Sequence, residues 1–174
     1  MSMVRRVLRA ARAEVALFEE VEHDARATTE ALAIVVTVSV ASGLSGILRN
    51  LASADAARAI IGLALGVLVG LVSWALFAAV TYAIGEYFLG AEATWGELLR
   101  TLGYAASPLL ITGLGFVPLL GGLLVAVGIA WSIYLGFVAV RSALDISSGK
   151  AIVTILLAIV PPVALNAALY RPVL

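Results

Sequence analysis

The chain has 174 residues, of which 63% are hydrophobic and only 13% are charged, with a mean hydropathy of +1.10. A soluble domain is closer to half apolar and a quarter charged, so the composition predicts an integral membrane protein rather than a soluble one. Eleven basic and eleven acidic residues leave no net charge, which argues against a nucleic-acid partner. The absence of cysteine excludes disulfides, thiolate chemistry and cysteine-ligated metals.

Residues 1–30 are predicted to form a cytoplasmic, amphipathic N-terminal segment without a cleaved signal peptide. One helical face would carry the apolar residues Val4, Val7, Leu8, Ala11, Val15 and Phe18, and the other Arg5, Arg6, Arg9 and Arg12. Such a helix is expected to lie among the lipid headgroups with its arginines near anionic lipid, and a partner-binding helix is the alternative. The acidic "EEVEHD" around His23 is expected to be a solvated face and not a metal site.

Charged residues mark the borders of the predicted membrane spans. Uncharged runs of 18, 27, 40 and 20 residues follow Glu30, Arg58, Arg100 and Lys150. Because a helix needs roughly 20 residues to cross the hydrocarbon, the longest run is two crossings joined by a turn at "GLGFVPLLGG". The prediction is an all-α helical bundle in residues 31–174, with spans near 31–48, 59–85, 98–116, 119–140 and 151–170. Arg100 would reach the headgroups from the mouth of the third span.

The distribution of basic residues predicts the orientation in the cell membrane. Eight arginines and lysines fall in the N-terminal segment and in the loops on the same side, against three on the other side. Basic residues favour the cytoplasmic side. The N-terminus is therefore predicted to be cytoplasmic and, with an odd number of spans, the C-terminus outside.

The predicted third span begins with a capping box, Thr94 to Glu97, and contains "LRTLGYAASPLLI". Pro108 lacks an N–H and leaves the carbonyl of Tyr104 without its helical partner. The Ser107 hydroxyl is expected to serve that carbonyl or the one on Gly103. Gly103, Tyr104, Ser107 and Pro108 are thus interpreted as a kink with a small-residue packing face, and a ligand contact at Tyr104 and Ser107 is the alternative.

Small residues four apart favour close helix contact in a membrane. Two such sets are Gly62, Gly66 and Gly70 in the second span and Gly128, Ser132 and Gly136 in the fourth. In the fifth span, Pro161 and Pro162 break the helix, and Asn166 is expected to bond across helices or to the broken backbone. Trp74, Trp131 and Tyr134 are expected to pack inside the bundle, each with a polar partner, and a pore lining is the alternative.

No enzymatic activity and no cofactor are predicted. Apart from Arg100 at the mouth of the third span, no predicted span holds His, Asp, Glu, Lys or Arg, whereas intramembrane catalysis needs a nucleophile with its base or paired carboxylates. The same absence weakens ion-coupled transport. Passive conduction through hydroxyls, carbonyls and broken helices stays open.

Three stretches together resemble the Yip family (Ypt-interacting proteins), whose members have five membrane spans. They are "FEEVEHDARATTEAL", in which Ala25 stands where the family commonly has proline, "WGELLRTLGYAASPLLI" with its Gly-Tyr and Ser-Pro pairs, and "RSALDISSGKAIVTILLAIVPP". The resemblance implies a role in early secretory trafficking and contacts with prenylated GTPases or with other members. The N-terminal segment is shorter than in eukaryotic members, which argues against GTPase binding and resembles the compact prokaryotic branch.

The function predicted from the sequence is a non-enzymatic membrane adaptor or scaffold that binds itself or another membrane protein. The alternative is a passive channel or small-solute transporter. A transporter is expected to gather Tyr104, Ser107, Ser132, Tyr134 and Asn166 around one solvated cavity, whereas a scaffold is expected to leave them dispersed.

Overall fold

In the computed structural model, residues 2–50 and 55–169 are described, and every regular element in them is helical. The elements are α1 (Met3–Ala11), α2 (Val15–His23), α3 (Ala27–Arg49), α4 (Ala56–Ile84) with a π-helical turn (Gly85–Leu89), α5 (Trp95–Ala105), a 3₁₀ segment (Ser107–Leu114), α6 (Gly121–Ala143), α7 (Ser148–Ala158) and α8 (Val160–Leu169). The protein is an all-α membrane helical bundle, as its composition predicts.

Four stretches of the described chain are long and apolar enough to cross a membrane. They are Ala27–Arg49, Ala56–Leu89, Gly121–Ala143 and Ser148–Leu169, with mean hydropathies between 2.2 and 2.5. Each contains one of the predicted spans or most of it, and the helices extend beyond the charge-defined borders by up to about a turn. The last predicted span ends at residue 170, just outside the described residues.

The third predicted span is not a continuous helix. It consists of α5, 11 residues long, and the 8-residue 3₁₀ segment, with the change at Ala106. The segment nevertheless runs parallel to α3, because Gly103 lies against Ala31 and Gly113 lies against Ala41. At 1.5 Å per α-helical and 2.0 Å per 3₁₀ residue its length is roughly 30 Å. The interruption lies beside Pro108, where the sequence predicts a kink, and the broken segment is long enough for a crossing.

The turn between the 3₁₀ segment and α6 lies where the glycines and Pro118 predict it. Leu119 has a left-handed backbone with a φ of 65°, and Gly121 begins α6. A side chain at Gly121 would collide with the carbonyl of Gly115. Glycine is therefore required there by close approach of the two backbones.

The N-terminal segment forms two short helices instead of the single amphipathic helix predicted. Ala13 has a φ of 58° and separates α1 from α2, which together form the N-terminal hairpin. Phe18 is completely buried, whereas Val4 and Leu8 keep 68% and 54% of their surface. The predicted faces are therefore wrong for Phe18, which packs into the bundle core, and for Arg6, which is only 9% exposed.

Two glycines show how tightly neighbouring helices approach. A Cβ at Gly103 would lie 2.5 Å from the Cβ and 3.0 Å from the Cα of Ala31. A Cβ at Gly128 would lie 2.5 Å from Ile111 and 3.2 Å from the carbonyl oxygen of Pro108. The third segment is thus held between α3 and α6 at distances that only glycine permits.

We expect Gly103→Ala to destabilise the bundle by about 1–3 kcal/mol, because the added methyl group meets the backbone of α3. Gly122→Ala is the matched control, since nothing lies within 4 Å of a Cβ at Gly122. The thermal unfolding midpoint of both purified variants in detergent measures the difference. Equal midpoints for the two variants would contradict the close approach of α5 to α3.

Candidate functional site

An ion-pair cluster joins the N-terminal hairpin to the bundle, and its centre is Arg6. The guanidinium of Arg6 lies 3.0 Å from Glu20, 2.8 Å from Asp24 and 3.3 Å from Glu30. The hydroxyl of Tyr104 donates to the same Glu30 oxygen that faces Arg6. We name Arg6, Glu20, Asp24, Glu30 and Tyr104 the Arg6 cluster; it links α1, α2, α3 and α5.

From the sequence, the members of the Arg6 cluster are expected in separate roles. Tyr104 was expected beside the kink, and Arg6 was expected among lipid headgroups. The structure brings both to Glu30, and the Tyr104 ring is completely buried. The signal in the sequence was the acidic run after α1, which supplies carboxylates close enough for the arginines of a folded-back helix.

A second set of contacts ties the hairpin down from both sides. Arg9 of α1 bonds Glu14 at 2.8 Å and Glu20 at 2.6 Å. Arg100 of α5 donates to the carbonyls of Val21 and Glu22 in the last turn of α2. A cation at a helix C-terminus complements its dipole. The expectation that Arg100 reaches the headgroups is therefore wrong, because it holds the end of α2.

The cluster shifts the pKa values of its members outside the spans. Burial opposes the charge of Arg6, but hydrogen bonds to Asp24, Glu30 and Glu20 outweigh it and raise the pKa of Arg6. A hydrogen bond from Arg9, with a smaller contribution from Arg6, lowers the pKa of Glu20. Arg6 and the Arg26 amide lower the pKa of Asp24. Both carboxylates are therefore stabilised in their ionised forms.

Glu22 behaves in the opposite way. Burial raises the pKa of its carboxyl group, and among the described residues its Oε2 has no hydrogen-bond partner. Ionised Glu22 therefore opposes the docking of α2 that the Arg6 cluster favours.

His23 offers no metal site together with its neighbours. Its ring remains 78% exposed, its Nδ1 lies 2.9 Å from the carbonyl oxygen of Glu19, and that contact and Glu22 raise its pKa. In the described residues, no three His, Cys, Asp or Glu side chains are grouped to hold a metal ion.

The kink in the third segment is stabilised by another helix. In a continuous α-helix the amide of Leu109 would donate to the carbonyl of Ala105. Here it donates to the carbonyl of Ala106 at 3.0 Å, and the Ser132 hydroxyl of α6 donates to the carbonyl of Ala105 at 3.0 Å. Ser107 is buried, and its hydroxyl has no hydrogen-bond partner in the described part of the chain. The expectation that the Ser107 hydroxyl serves the carbonyl of Tyr104 or Gly103 is wrong, and the side chain that bonds the backbone at the break is Ser132, on the carbonyl of Ala105.

The predicted capping box of α5 is confirmed. The amide of Glu97 bonds the Thr94 hydroxyl at 3.3 Å, and the Glu97 carboxylate accepts from the Thr94 amide at 2.8 Å. These bonds satisfy amides that the start of a helix leaves without partners.

The fifth span is interrupted at Ile159, just before Pro161 and Pro162. Asn166 donates to the Ser73 hydroxyl of α4 at 2.9 Å and to the Pro162 carbonyl at 2.8 Å. Its amide thus makes both kinds of bond that the sequence suggested, one across helices and one to the broken backbone.

The three aromatic residues expected inside the bundle divide into two groups. Trp74 packs against the core and donates to the carbonyl of Leu99 at 3.1 Å. Trp131 and Tyr134 are 45% and 46% exposed on the outer side of α6, which corrects the expectation for both. The Trp131 indole donates to the carbonyl of Ala11 at 2.9 Å and so contacts the end of α1.

A cavity of about 760 Å³ lies between the helices. Eight of the residues singled out from the sequence line it: Gly62, Gly66, Gly70, Trp74, Ser132, Gly136, Pro162 and Asn166. Gly103, Tyr104, Ser107, Pro108, Gly128, Pro161 and Tyr134 are not part of its lining. The polar residues expected around a transport cavity are therefore only partly gathered, since Ser132 and Asn166 reach it and the tyrosines do not.

We expect Arg6→Ala to weaken docking of the N-terminal hairpin by about 1–3 kcal/mol, because partly buried carboxylates lose their counter-ion. Hydrogen exchange of the α1 and α2 amides measures the change. Arg5→Ala is the control, since Arg5 is exposed on the same helix. Equal exchange in the two variants would exclude the Arg6 cluster as the attachment.

Acidification is expected to release the hairpin. Glu20 and Asp24 have folded pKa values below the ordinary 4.5 and 3.8, so their stabilisation is complete above those values and is lost as pH falls through the lowered ones. The emission of Trp131, which contacts α1, reports the release. Glu22→Gln is expected to make the release steeper with pH, because protonation of Glu22 in the native protein favours the docked hairpin and so opposes its release. An unchanged Trp131 signal on acidification of both proteins would refute the link between these carboxylates and docking.

Comparison with known proteins identifies the family. The family model described as the Yip1 domain matches residues 12–168, which include α2 to α7 and all but the last residue of α8. No curated protein and no solved structure matches the chain. The matched range contains the capping box, the kink and the proline-broken fifth span, so the chain belongs to the Yip1-domain family of membrane proteins.

Proposed function

We propose that the protein is a non-enzymatic membrane adaptor that holds a partner at the cytoplasmic face of the cell membrane, in a membrane-organising or trafficking-type role. The observation that carries this proposal is the attachment of the N-terminal hairpin to the bundle through Arg6, Arg9 and Arg100. A docked hairpin presents its outer side chains in fixed positions, which lowers the entropy cost of binding.

The outer surface of the hairpin carries charges of both signs. Arg5, Arg12, Glu19, His23 and Arg26 are exposed on it or beside it. Polar, charged surfaces of this kind suit reversible contacts with a soluble protein or with the cytoplasmic part of a membrane protein.

The proposed orientation places this surface in the cytoplasm. Arg100 contacts α2, and Gly85 lies against Leu144, so the hairpin and the loops that precede α5 and α7 lie at one end of the bundle. That end carries eight of the eleven basic residues, and the excess supports a cytoplasmic location.

The membrane-facing contacts of the adaptor are proposed to involve another copy or a second membrane protein. Gly122, Ala126 and Ala130 are exposed on the outer side of α6 at intervals of four. Small residues on an outward face permit close approach of another helix.

Native mass spectrometry of the protein captured in mild detergent tests the adaptor proposal. A second protein in fixed stoichiometry is expected, and charge reversal by Arg5→Glu is expected to reduce its recovery several-fold, because the hairpin surface changes without loss of the Arg6 cluster. Arg58→Glu is the matched control, since Arg58 is exposed at the opposite end of the bundle. Recovery that is unchanged by Arg5→Glu, or equal loss in both variants, would contradict binding through the hairpin.

A passive conduit for a small solute is the second candidate function, and the cavity is the observation that favours it. Its lining includes Ser39, Ser73, Ser132 and Asn166. The captured protein without any companion, together with solute flux through liposomes containing the purified chain, would favour the conduit over the adaptor.

A further inference from the structure

The cavity is enclosed by all the membrane-crossing parts of the bundle and has an opening in its wall. Its lining includes residues of α3, α4, α5, α6, α7 and α8 and of the 3₁₀ segment. Ile129 and Ile133 of α6 and Val163 of α8 line it and yet remain 46%, 46% and 56% exposed. An opening of the cavity to the surroundings of the bundle therefore lies between α6 and α8.

The polar side chains in the wall already have partners within the protein. The Ser39 hydroxyl donates to the carbonyl of Val35 at 2.9 Å, and Ser132 donates to Ala105 at 3.0 Å. The Asn166 amide uses its two N–H groups on Ser73 and Pro162. Because these donors are engaged, the wall presents mainly hydrocarbon to an occupant, and a buried water needs two to four polar partners.

The cavity has room for an extended apolar group. Its volume of about 760 Å³ lies within the roughly 300–1,000 Å³ typical of ligand sites. Nothing lies within 4 Å of a Cβ added at Gly62 or Gly136. These two glycines therefore leave space in the wall instead of bringing two helices together.

We propose that this cavity binds one acyl chain of a phospholipid from the surrounding bilayer. The helices on both sides of the opening are membrane spans, so lipid chains are the medium that meets it. A hydrocarbon chain needs no hydrogen bonds and gains dispersion contacts with Val35, Val38, Phe77 and Leu102 along the wall. The headgroup stays outside the bundle, and the chain fills the space between α6 and α8.

Fluorescence quenching by a brominated phospholipid tests this proposal. Trp74 lines the cavity, whereas Trp95 and Trp131 are exposed on the outside. In a variant with Trp95→Phe and Trp131→Phe, phosphatidylcholine with one dibromostearoyl chain is added to delipidated protein in detergent. Saturable quenching of Trp74 at one lipid per protein is expected.

Filling the cavity supplies the comparison. Gly136→Leu is expected to raise the lipid concentration that gives half-maximal quenching of Trp74 about tenfold, because the leucine side chain takes space that the acyl chain needs. Gly122→Leu is the matched control on the same helix, since a Cβ there also has open space but faces outward. Gly62→Leu provides a second filling variant on α4 if Gly136→Leu does not fold.

Three results would overturn the proposal. Quenching that rises in proportion to lipid without saturating, and equally in all variants, would indicate nonspecific contact with the detergent–lipid phase. Quenching of Trp74 by aqueous iodide in bilayers would indicate a hydrated cavity. Quenching of Trp74 by brominated lipid that decreases as the protein concentration rises would indicate that a helix of a second copy occupies the opening.

Discussion

The break at Pro108 is the constraint on which the arrangement of the bundle depends. In a bilayer, a carbonyl without a partner costs free energy that water cannot offset. The Ser132 hydroxyl of α6 donates a hydrogen bond to the carbonyl of Ala105. This bond sets the position of the third segment along α6. Gly128 then allows the 3₁₀ segment to approach α6, and Gly103 allows α5 to approach α3. The kink therefore fixes the positions of helices on both of its sides.

The ion pairs above the kink extend this arrangement to the N-terminal hairpin. Tyr104 and Glu30 connect the membrane segments, and Glu30 also meets Arg6. Three carboxylates surround the guanidinium of Arg6 and balance its positive charge. A buried cation is tolerated in a protein when it is paired with carboxylates in this way. Docking of the hairpin and the position of the third segment therefore depend on each other, and a proposed adaptor surface inherits its rigidity from the membrane core.

Much of the fold could be predicted because its causes are local. Charge-free runs fixed four helices, the Thr94–Glu97 box fixed the start of α5, and the glycines with Pro118 fixed the turn before α6. The proline pair in the fifth span likewise marked its interruption. In each case a residue type with a known backbone effect lies at the boundary itself.

The incorrect predictions concern partners far away in the chain. Ser107 lies three residues after Tyr104, whose carbonyl it was expected to serve, but the hydroxyl that bonds the backbone at the break is that of Ser132, which reaches the carbonyl of Ala105, 27 residues away. Arg6 and Arg100 were assigned to lipid because helical periodicity cannot show that the segment folds back at Ala13 onto its own acidic residues. The glycine pattern of α4 likewise did not distinguish a packed face from a cavity wall. Spacing specifies which face a residue occupies, and only the tertiary fold specifies what meets that face.

The separation of the cluster's members along the chain has a consequence for the order of biosynthesis. Glu20 and Asp24 follow Arg6 closely and are made before the first membrane helix. The contacts of Tyr104 with Glu30 and of Arg100 with α2 join residues 74 to 79 positions apart. A ribosome makes α5 after α2 and after the first two membrane helices, so the contacts between α2 and α5 can form only once the third segment has been made. The pair between Arg6 and Glu30 can form earlier, and the α5 contacts complete the docking of the hairpin only in a chain whose third segment has reached its place.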